Sequence, residues 1–451
     1  MAQSEDTPNF QVPPGLPVKA LGLPKTDLFP RGMAPVDAKR LIAHDLSLDG
    51  NALLNLATFV TTSMEPEADD LMALSFNKNM IDKDEYPETA KIEERCVQIV
   101  TNLFHAPEPG VGTSAIGSSE AVMLCGLAMK WRWRARREKA GQSTDRPNLV
   151  MGTNVQVVWE KFCKYWDVEA RYVPVKNGKY TIAPQDAVAL CDENTIGVIA
   201  ILGTTYTGEF EPIEAIHDAV VALNEQTGWE VPVHVDAASG GFVAPFIHPD
   251  LPWDFRLPNV VSINVSGHKY GLVYPGVGWA AWRSKEYLPE DLVFHVKYLG
   301  GDMPTFTLNF SRPGNQIIGQ YYNFVRYGFE GYQAIMGSLQ WGTQQLAATI
   351  ADMGPFHVIS DGTDIPVIAF SLKETDRYTV YDVSSRLRLA GWQVPAYPLP
   401  ADADDIHVLR IVVRLGMSLD MAETLADDLK DAVDFLEQHG GSSEQARGFS
   451  H

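Results

Sequence analysis

The sequence predicts an α/β protein in which a large, mostly parallel sheet is covered by helices and followed by a smaller α+β unit. Short β-favouring runs alternate with helical patterns from residue 55 to about 341. Such alternation builds parallel strands joined by crossover helices. Two more β-runs and one long helical pattern then follow without it. The chain has 451 residues, 45% of them hydrophobic; that length exceeds what one core usually supports and can fill two. The expected division is an arm over 1–53, a large lobe over 54–341, a small lobe over 342–439 and a tail over 440–451.

Within the arm, Pro8, Pro13, Pro14, Pro17, Pro24, Pro30 and Pro35 interrupt regular structure, because each lacks an N–H and fixes its own φ. Helical spacing then runs from Val36 to Leu46. The run Thr113-Ser114-Ala115-Ile116-Gly117-Ser118-Ser119-Glu120-Ala121 is small and hydroxyl-rich, and reads as a turn entering a long helix. Val122, Leu124, Cys125, Leu127, Ala128 and Trp131 supply that helix's apolar face. Strands are expected over 148–151, 168–175, 196–202, 231–235, 260–265 and 277–282, and in the small lobe over 367–372 and 406–413. A last helix over 420–438 carries Asp and Glu on its outer face, and Gly440-Gly441-Ser442-Ser443 releases a polar tail.

The chemistry-bearing residues sit where the strands end. The run Val260 to Val265 leads into Ser266-Gly267-His268-Lys269, and the run Val231 to Val235 leads into Asp236-Ala237-Ala238-Ser239-Gly240-Gly241. In an open α/β sheet, ligands bind at the carboxyl ends of the strands. A lysine held there partly out of water loses its proton more readily and can attack a carbonyl as an amine. Alone, His268-Lys269 would be an ordinary solvated turn, and Asp236 an ordinary loop carboxylate. Together they are the pair that pyridoxal phosphate needs: an amine for its aldehyde and a carboxylate for its pyridine nitrogen. A seat for the phosphate is also present. Ser118 or Ser119 is expected to cap the helix, presenting backbone N–H groups and the positive dipole end to an anion.

These motifs resemble the glutamate decarboxylase branch of the group II pyridoxal-phosphate-dependent amino-acid decarboxylases. The resemblance runs from about Asp49 almost to the C-terminus. Leu56-Ala57-Thr58-Phe59, Asn79-Met80-Ile81-Asp82-Lys83, Ile116 to Ala121, Asp236 to Phe242 and Ser266 to Lys269 carry it. The stretch around Asn79 and Asp82 and the run Asn309-Phe310-Ser311-Arg312-Pro313 point to the glutamate branch. The resemblance implies the aspartate-aminotransferase type of fold (fold type I), with pyridoxal 5'-phosphate as cofactor. It also implies release of carbon dioxide from L-glutamate to give 4-aminobutyrate, with one proton consumed.

Residue roles follow from the same resemblance. Lys269 bonds to the cofactor, Asp236 pairs with its ring nitrogen, Gln156 covers one face of the ring and Ala238 lies against the other. Ser118, Ser119 and His268 hold the phosphate, with Ser311 reaching it from a neighbouring subunit, and Thr205 lies near the lysine. Thr58 and Phe59, joined by Asn79 and Asp82 of the other subunit, meet the distal carboxylate of glutamate, and Arg410 meets the α-carboxylate. Asp82 beside a carboxylate requires the two to share a proton, which suits acidic conditions. A site built from residues of two subunits implies an obligate dimer, with a hexamer as the larger alternative. Bacterial relatives close the site at neutral pH with a histidine at the extreme C-terminus, and Gly448-Phe449-Ser450-His451 resembles that ending. Neutral imidazole is a nucleophile and its protonated form is not, so His451 would switch near its ordinary pKa of ~6.5.

Composition excludes other classes. A net charge of −21 argues against nucleic acid or anionic membrane as a partner. Arg132 to Lys139 is the one basic cluster, and at a helix C-terminus it reads as structural. Cys96, Cys125, Cys163 and Cys191 show no metal spacing and suggest reduced thiols in a cytoplasmic protein. No apolar run reaches membrane-spanning length, and the start Met1-Ala2-Gln3-Ser4-Glu5-Asp6 lacks an export pattern. The tail from Ser442 lacks the basic, Trp-bearing segment of plant relatives, so no calmodulin is expected. Two alternatives stand beside the glutamate reading. Another reaction on the same cofactor, on aspartate, an aromatic amino acid or a carbon–carbon lyase substrate, is disfavoured by Asn79 and Asp82. A non-catalytic protein on the same fold is disfavoured by the intact Lys269 and Asp236.

Overall fold

A computed structural model describes residues 25–28, 32–107, 109–297, 303–373 and 375–441. The chain divides into two units after Leu54. In the first, helix α1 (Pro35–Leu46) starts with a proline at its first turn, where the missing N–H costs nothing. No residue of α1 is buried, and a short 3₁₀ turn, Ala52–Leu54, follows it. The expected tail from Ser442 onward, including Phe449 and His451, lies outside the described residues.

The second unit opens with α2 (Pro66–Leu74) and α3 (Pro87–Leu103), then β1 (Val111–Ala115) and α4 (Ser118–Lys139). β2 (Asn148–Gly152), α5 (Val157–Tyr165), β3 (Glu169–Val173), α6 (Pro184–Ala189), β4 (Thr195–Ile201), α7 (Ile213–Thr227) and β5 (Val233–Asp236) alternate as expected. A short α8 (Ala244–Ile247), β6 (Val260–Val265) and β7 (Gly278–Trp282) complete the large sheet. Its order is β1-β7-β6-β5-β4-β2-β3. β3, β2, β4, β5 and β6 run parallel, while β7 is antiparallel to both β6 and β1. Every residue of β4, β5 and β6 is buried, the mark of central strands covered on both faces. Around β4 pack Leu149, Trp159 and Phe162, all fully buried; full burial of one such side chain contributes ~1.5–3 kcal/mol.

A two-stranded ribbon, β8 (Phe294–Val296) with β9 (Met303–Thr305), comes next. Then α9 (Asn315–Asp352) crosses the expected lobe boundary at 341/342, broken at Gly328, whose φ of 57° is left-handed and suits glycine. The last elements are β10 (Phe356–Asp361), β11 (Val367–Leu372), α10 (Val380–Leu389), β12 (Ala396–Pro398), β13 (His407–Val412) and α11 (Leu419–His439). The four strands form an antiparallel sheet of order β10-β11-β13-β12.

Two expectations are corrected. Thr113, Ser114 and Ala115 are strand rather than turn, because β1 pairs along its whole length with β7 and extends the sheet edge. The turn is therefore only Ile116 and Gly117. On α4, Trp133 is buried and Trp131 only half-buried, since the helix is enclosed on all sides as far as Met129.

Candidate active site

The carboxyl ends of the parallel strands converge on a cavity of about 550 Å³. β2 delivers Asn154 and Gln156 to its wall, β4 delivers Gly203 and Thr205, β5 delivers Asp236, Ala238 and Ser239, and β6 delivers Ser266, His268 and Lys269. The start of α4 closes the cavity, with Ser118, Ser119 and Glu120.

Asp236 is 4% exposed and its carboxylate is held from three directions. Trp159 Nε1 donates to Oδ2 at 2.8 Å, while Asn264 Nδ2 at 2.9 Å and the Ala238 backbone N–H at 3.1 Å donate to Oδ1. A carboxylate accepts about four such bonds. One acceptor position therefore remains, and it suits a single N–H such as a protonated pyridine nitrogen.

Lys269 shares the cavity, with Nζ donating to Ser239 Oγ at 3.0 Å. Burial lowers the ammonium's pKa to about 8, Asp236 opposing this and Arg410 adding to it. The amine is thus far closer to neutrality than a solvated lysine. Its neighbour His268 is pushed down to about 4, by burial and then by Lys269. The Gly276 N–H points at His268 Nδ1 at 3.4 Å, which assigns the proton of the neutral ring to Nε2.

At the phosphate seat, the helix cap is neither Ser118 nor Ser119, which is a further correction. Gly117 is the N-cap, with no side-chain cap bond. The reason is space: a Cβ on Gly117 would lie 2.8 Å from His268 Cε1, and one on Gly278 would lie 2.5 Å from the Gly117 backbone. Both serines then fall in the first turn of α4. Ser266 Oγ donates to Ser118 Oγ at 2.7 Å, tying the lysine-bearing turn to this helix start. The Glu120 carboxylate takes the Ile116 N–H at 2.8 Å and the Asn309 N–H at 3.1 Å. A helix start leaves its first N–H groups unpaired within the helix and carries positive potential. With Ser118, Ser119 and neutral His268 around it, this cradle fits a phosphate.

Gln156 caps α5, its Oε1 accepting the Val158 N–H at 2.6 Å. Arg410 is 8% exposed and bonds the carbonyls of Thr205 and Ala57. Its guanidinium lies 4.8 Å from the Phe59 ring centroid, and Lys269 Nζ lies 5.0 Å from the same ring. No carboxylate pairs with Arg410, and Nε has no partner, among the described residues. Thr58 is half-buried and its hydroxyl accepts the Val60 N–H at 3.0 Å.

Asn79, Asp82 and Ser311 do not line the cavity of their own chain. They form a separate group. Asn79 Nδ2 meets Ser311 Oγ at 3.3 Å, Asn79 Oδ1 accepts the Arg312 N–H at 3.1 Å, and the Asp82 N–H donates to Asn79 O at 3.1 Å. Arg312 anchors this group through a buried ion pair with Glu93 at 3.4 Å.

Sequence reasoning missed Trp159, Ser239, Asn264, Ser266 and Glu120. Asn264 was within reach, since strand residues two apart share a face and it lies two before Ser266. Trp159 carries no sequence signal, because its bond to Asp236 spans 77 positions.

A strand-end lysine and aspartate with a helix-start anion cradle, on a seven-stranded sheet of this order, define the fold type I pyridoxal-phosphate enzymes. A family model for the pyridoxal-dependent decarboxylase conserved domain matches residues 30–373. The chain is 52% identical to a glutamate decarboxylase of Solanum lycopersicum, covering 92% of this chain and 84% of that one. It is 48% identical to a probable glutamate decarboxylase gamma of Listeria monocytogenes over the full length of both. A solved glutamate decarboxylase from Lactobacillus brevis superposes with a TM-score of 0.92 at 48% identity, covering 95% of this chain and 98% of that one. The chain belongs to the pyridoxal-dependent decarboxylase family, in its glutamate decarboxylase branch. At 22% identity and a TM-score of 0.78, a sphingosine-1-phosphate lyase of Burkholderia pseudomallei shares the fold.

Proposed function

We propose that this protein removes the α-carboxyl group of L-glutamate as carbon dioxide and leaves 4-aminobutyrate, using pyridoxal phosphate. The observation that carries this reading is Arg410. It is a buried arginine with no carboxylate partner among the described residues, against the same Phe59 ring as Lys269. A buried cation of this kind is stabilised by an anion, and the α-carboxylate of an amino acid supplies one next to the reactive amine.

When bound, pyridoxal phosphate supplies an electron sink for the bond pair left as carbon dioxide departs. The rest is the work of the chain. Lys269 would offer the cofactor's aldehyde a near-neutral amine and, as an ammonium, would move a proton. Asp236 would hold a proton at the pyridine nitrogen, which would keep the ring electron-poor. The α4 start, Ser118, Ser119 and His268 Nε2–H hold the phosphate. Gln156 and Ala238 would cover the two faces of the ring, and Thr205 lines the same cavity as Lys269. Arg410 orients the α-carboxylate and Phe59 keeps water from it. The product carries a hydrogen where the carboxylate was, so each turnover consumes one proton.

We assign Thr58 and Phe59 to the distal carboxylate, and Asn79, Asp82 and Ser311 to the site of a second copy of the chain. Their separation from their own cavity supports this, as do nearby exposed apolar side chains such as Leu74, at 75% exposure, and Phe76, at 72%. The sharing makes the dimer the active unit. The large and small lobes remain our division of the second unit, with α9 passing between them. No helix among the described residues is long and apolar enough to cross a membrane. The four cysteines are free thiols, which favours a reducing compartment; we place the protein in the cytoplasm.

The test is a panel of amino acids with purified protein and pyridoxal phosphate, following carbon dioxide and amine. We expect kcat/KM for glutamate to exceed that for aspartate by more than roughly tenfold, since one methylene is worth ~1–3 kcal/mol and a misplaced carboxylate adds to it. Comparable values for the two, or faster turnover of tyrosine, would overturn the proposal.

A further inference from the structure

Three loops at the carboxyl edge of the large sheet meet on one buried carboxylate that the roles above leave unused. Glu211 is 3% exposed. Asn154 Nδ2 donates to its Oε1 at 2.9 Å, the Ile201 N–H donates to its Oε2 at 2.8 Å, and the Ile182 N–H is a third donor. The Asn154 amide also donates to Tyr180 O at 3.1 Å. These donors belong to the turn after β2, the loop after β3 and the end of β4. Glu211 also closes its own loop. Its backbone N–H donates to Ile201 O at 3.0 Å, and Leu202 pairs with Phe210. The segment carrying Gly203 and Thr205 therefore leaves and returns at one point.

We propose that Glu211 is a positioning residue for the reaction: its carboxylate fixes the 154–156 turn, which carries Gln156, against the 203–205 turn, which carries Thr205, across the rim of the cofactor cavity. The chemistry of the contacts supports it. The three bonded groups are all donors, a set that suits a carboxylate. Keeping the charge there is costly, and burial, reinforced by Asp236, moves the group up to about 7. A neutral side chain of the same size would avoid that cost but could not accept all three bonds. The inference rests on the cavity being the pyridoxal phosphate site.

The experiment uses the full chain with Glu211→Gln, which keeps one acceptor oxygen, and Glu211→Ala, which keeps none. Three quantities are read: the dissociation constant of pyridoxal phosphate by quenching of tryptophan fluorescence, kcat per cofactor-loaded site, and KM for glutamate. Misplacing groups around a reacting centre by about an ångström costs up to ~100-fold. We expect kcat per loaded site to fall roughly tenfold in Gln and roughly a hundredfold in Ala, with KM within about threefold. Cofactor affinity should weaken in the same order. The proposal is overturned if both variants keep kcat per loaded site and cofactor affinity within about twofold of the parent and lose only thermal stability. Should Glu211→Ala fail to fold, Glu211→Gln decides by the same criterion. If the parent itself releases no carbon dioxide from glutamate, the functional reading has failed, and the affinity comparison still decides the role of Glu211.

Discussion

The Trp159 indole N–H donates to Asp236 Oδ2 at 2.8 Å, from a side chain with no exposed surface. The bond joins the first turn of α5 to the end of β5 and holds the carboxylate plane still beneath the cavity. Hydrogen bonds to charged groups contribute ~1.5–3 kcal/mol. Trp159→Phe should therefore lower the stability of the cofactor-free protein by about 2 kcal/mol or more, the lost ring volume adding to the lost bond. Urea unfolding followed by circular dichroism checks this, and a change below about 0.5 kcal/mol would show that the bond contributes little.

Asp236→Asn keeps the shape of the side chain and removes its charge. The phosphate seat is untouched, so the variant should still retain pyridoxal phosphate. Turnover should fall roughly 10²–10⁴-fold, the size of effect expected from breaking a buried charge pair of ~3–5 kcal/mol. Single-turnover rates at saturating glutamate, compared with cofactor content by absorbance, separate the two effects.

Lys269 gives a pH dependence. Its pKa of about 8 in the folded protein lies below the ordinary lysine value, so folding favours the neutral amine. In the cofactor-free protein the resulting destabilisation is fully present below pH 8 and is relieved as pH rises from there toward the unfolded value near ~10.4. Covalent capture of added pyridoxal phosphate, followed by its visible absorbance in stopped flow, should quicken as pH rises, with a midpoint near 8. A flat profile between pH 7 and 9 contradicts the assigned pKa.

Much of this arrangement is legible in the sequence because it lies at strand ends. β6 falls on the expected bounds, 260–265, and the other parallel strands come within a few residues of theirs. The placement of Lys269 and Asp236 follows from β-runs that end in polar residues beside Gly or Ala, and that of Ser118 and Ser119 from a small Gly-Ser-Ser turn entering a helical pattern. The remainder depends on tertiary approach. The choice of Gly117 as cap follows from contacts with His268 and Gly278, which lie 151 and 161 positions away. β1 escaped notice because Thr113, Ser114 and Ala115 read locally as turn residues, and only pairing with β7 makes them a strand.

Gly117→Ala tests that approach. The new Cβ would lie 2.8 Å from His268 Cε1, closer than side chains tolerate, and backbone strain is not involved because φ is 167°. His268 must shift away from the phosphate seat. We expect cofactor affinity to fall by roughly tenfold or more, a loss of ~1.4 kcal/mol, with little change in thermal unfolding of the cofactor-free protein. An unchanged dissociation constant would show that the seat tolerates the methyl group.

A site shared between two copies of the chain, as proposed, predicts complementation. Lys269→Ala and Asp82→Ala proteins, each inactive alone, should regain partial activity when mixed and allowed to exchange subunits. A hybrid dimer then carries one site with both residues intact. No recovery, once exchange is verified by mass spectrometry, would place Asp82 in its own chain's site or in none.

The assignment of Lys269 as the amine that bonds to pyridoxal phosphate is central, since the placements of Asp236, His268, Phe59 and Arg410 are all read relative to it. Borohydride reduction of the active protein, followed by protease digestion and mass spectrometry, locates that bond directly. We predict a pyridoxyl group on the peptide containing Lys269, with about one per chain, and none after Lys269→Ala. A pyridoxyl group on another lysine, or full activity without any on Lys269, would contradict the account.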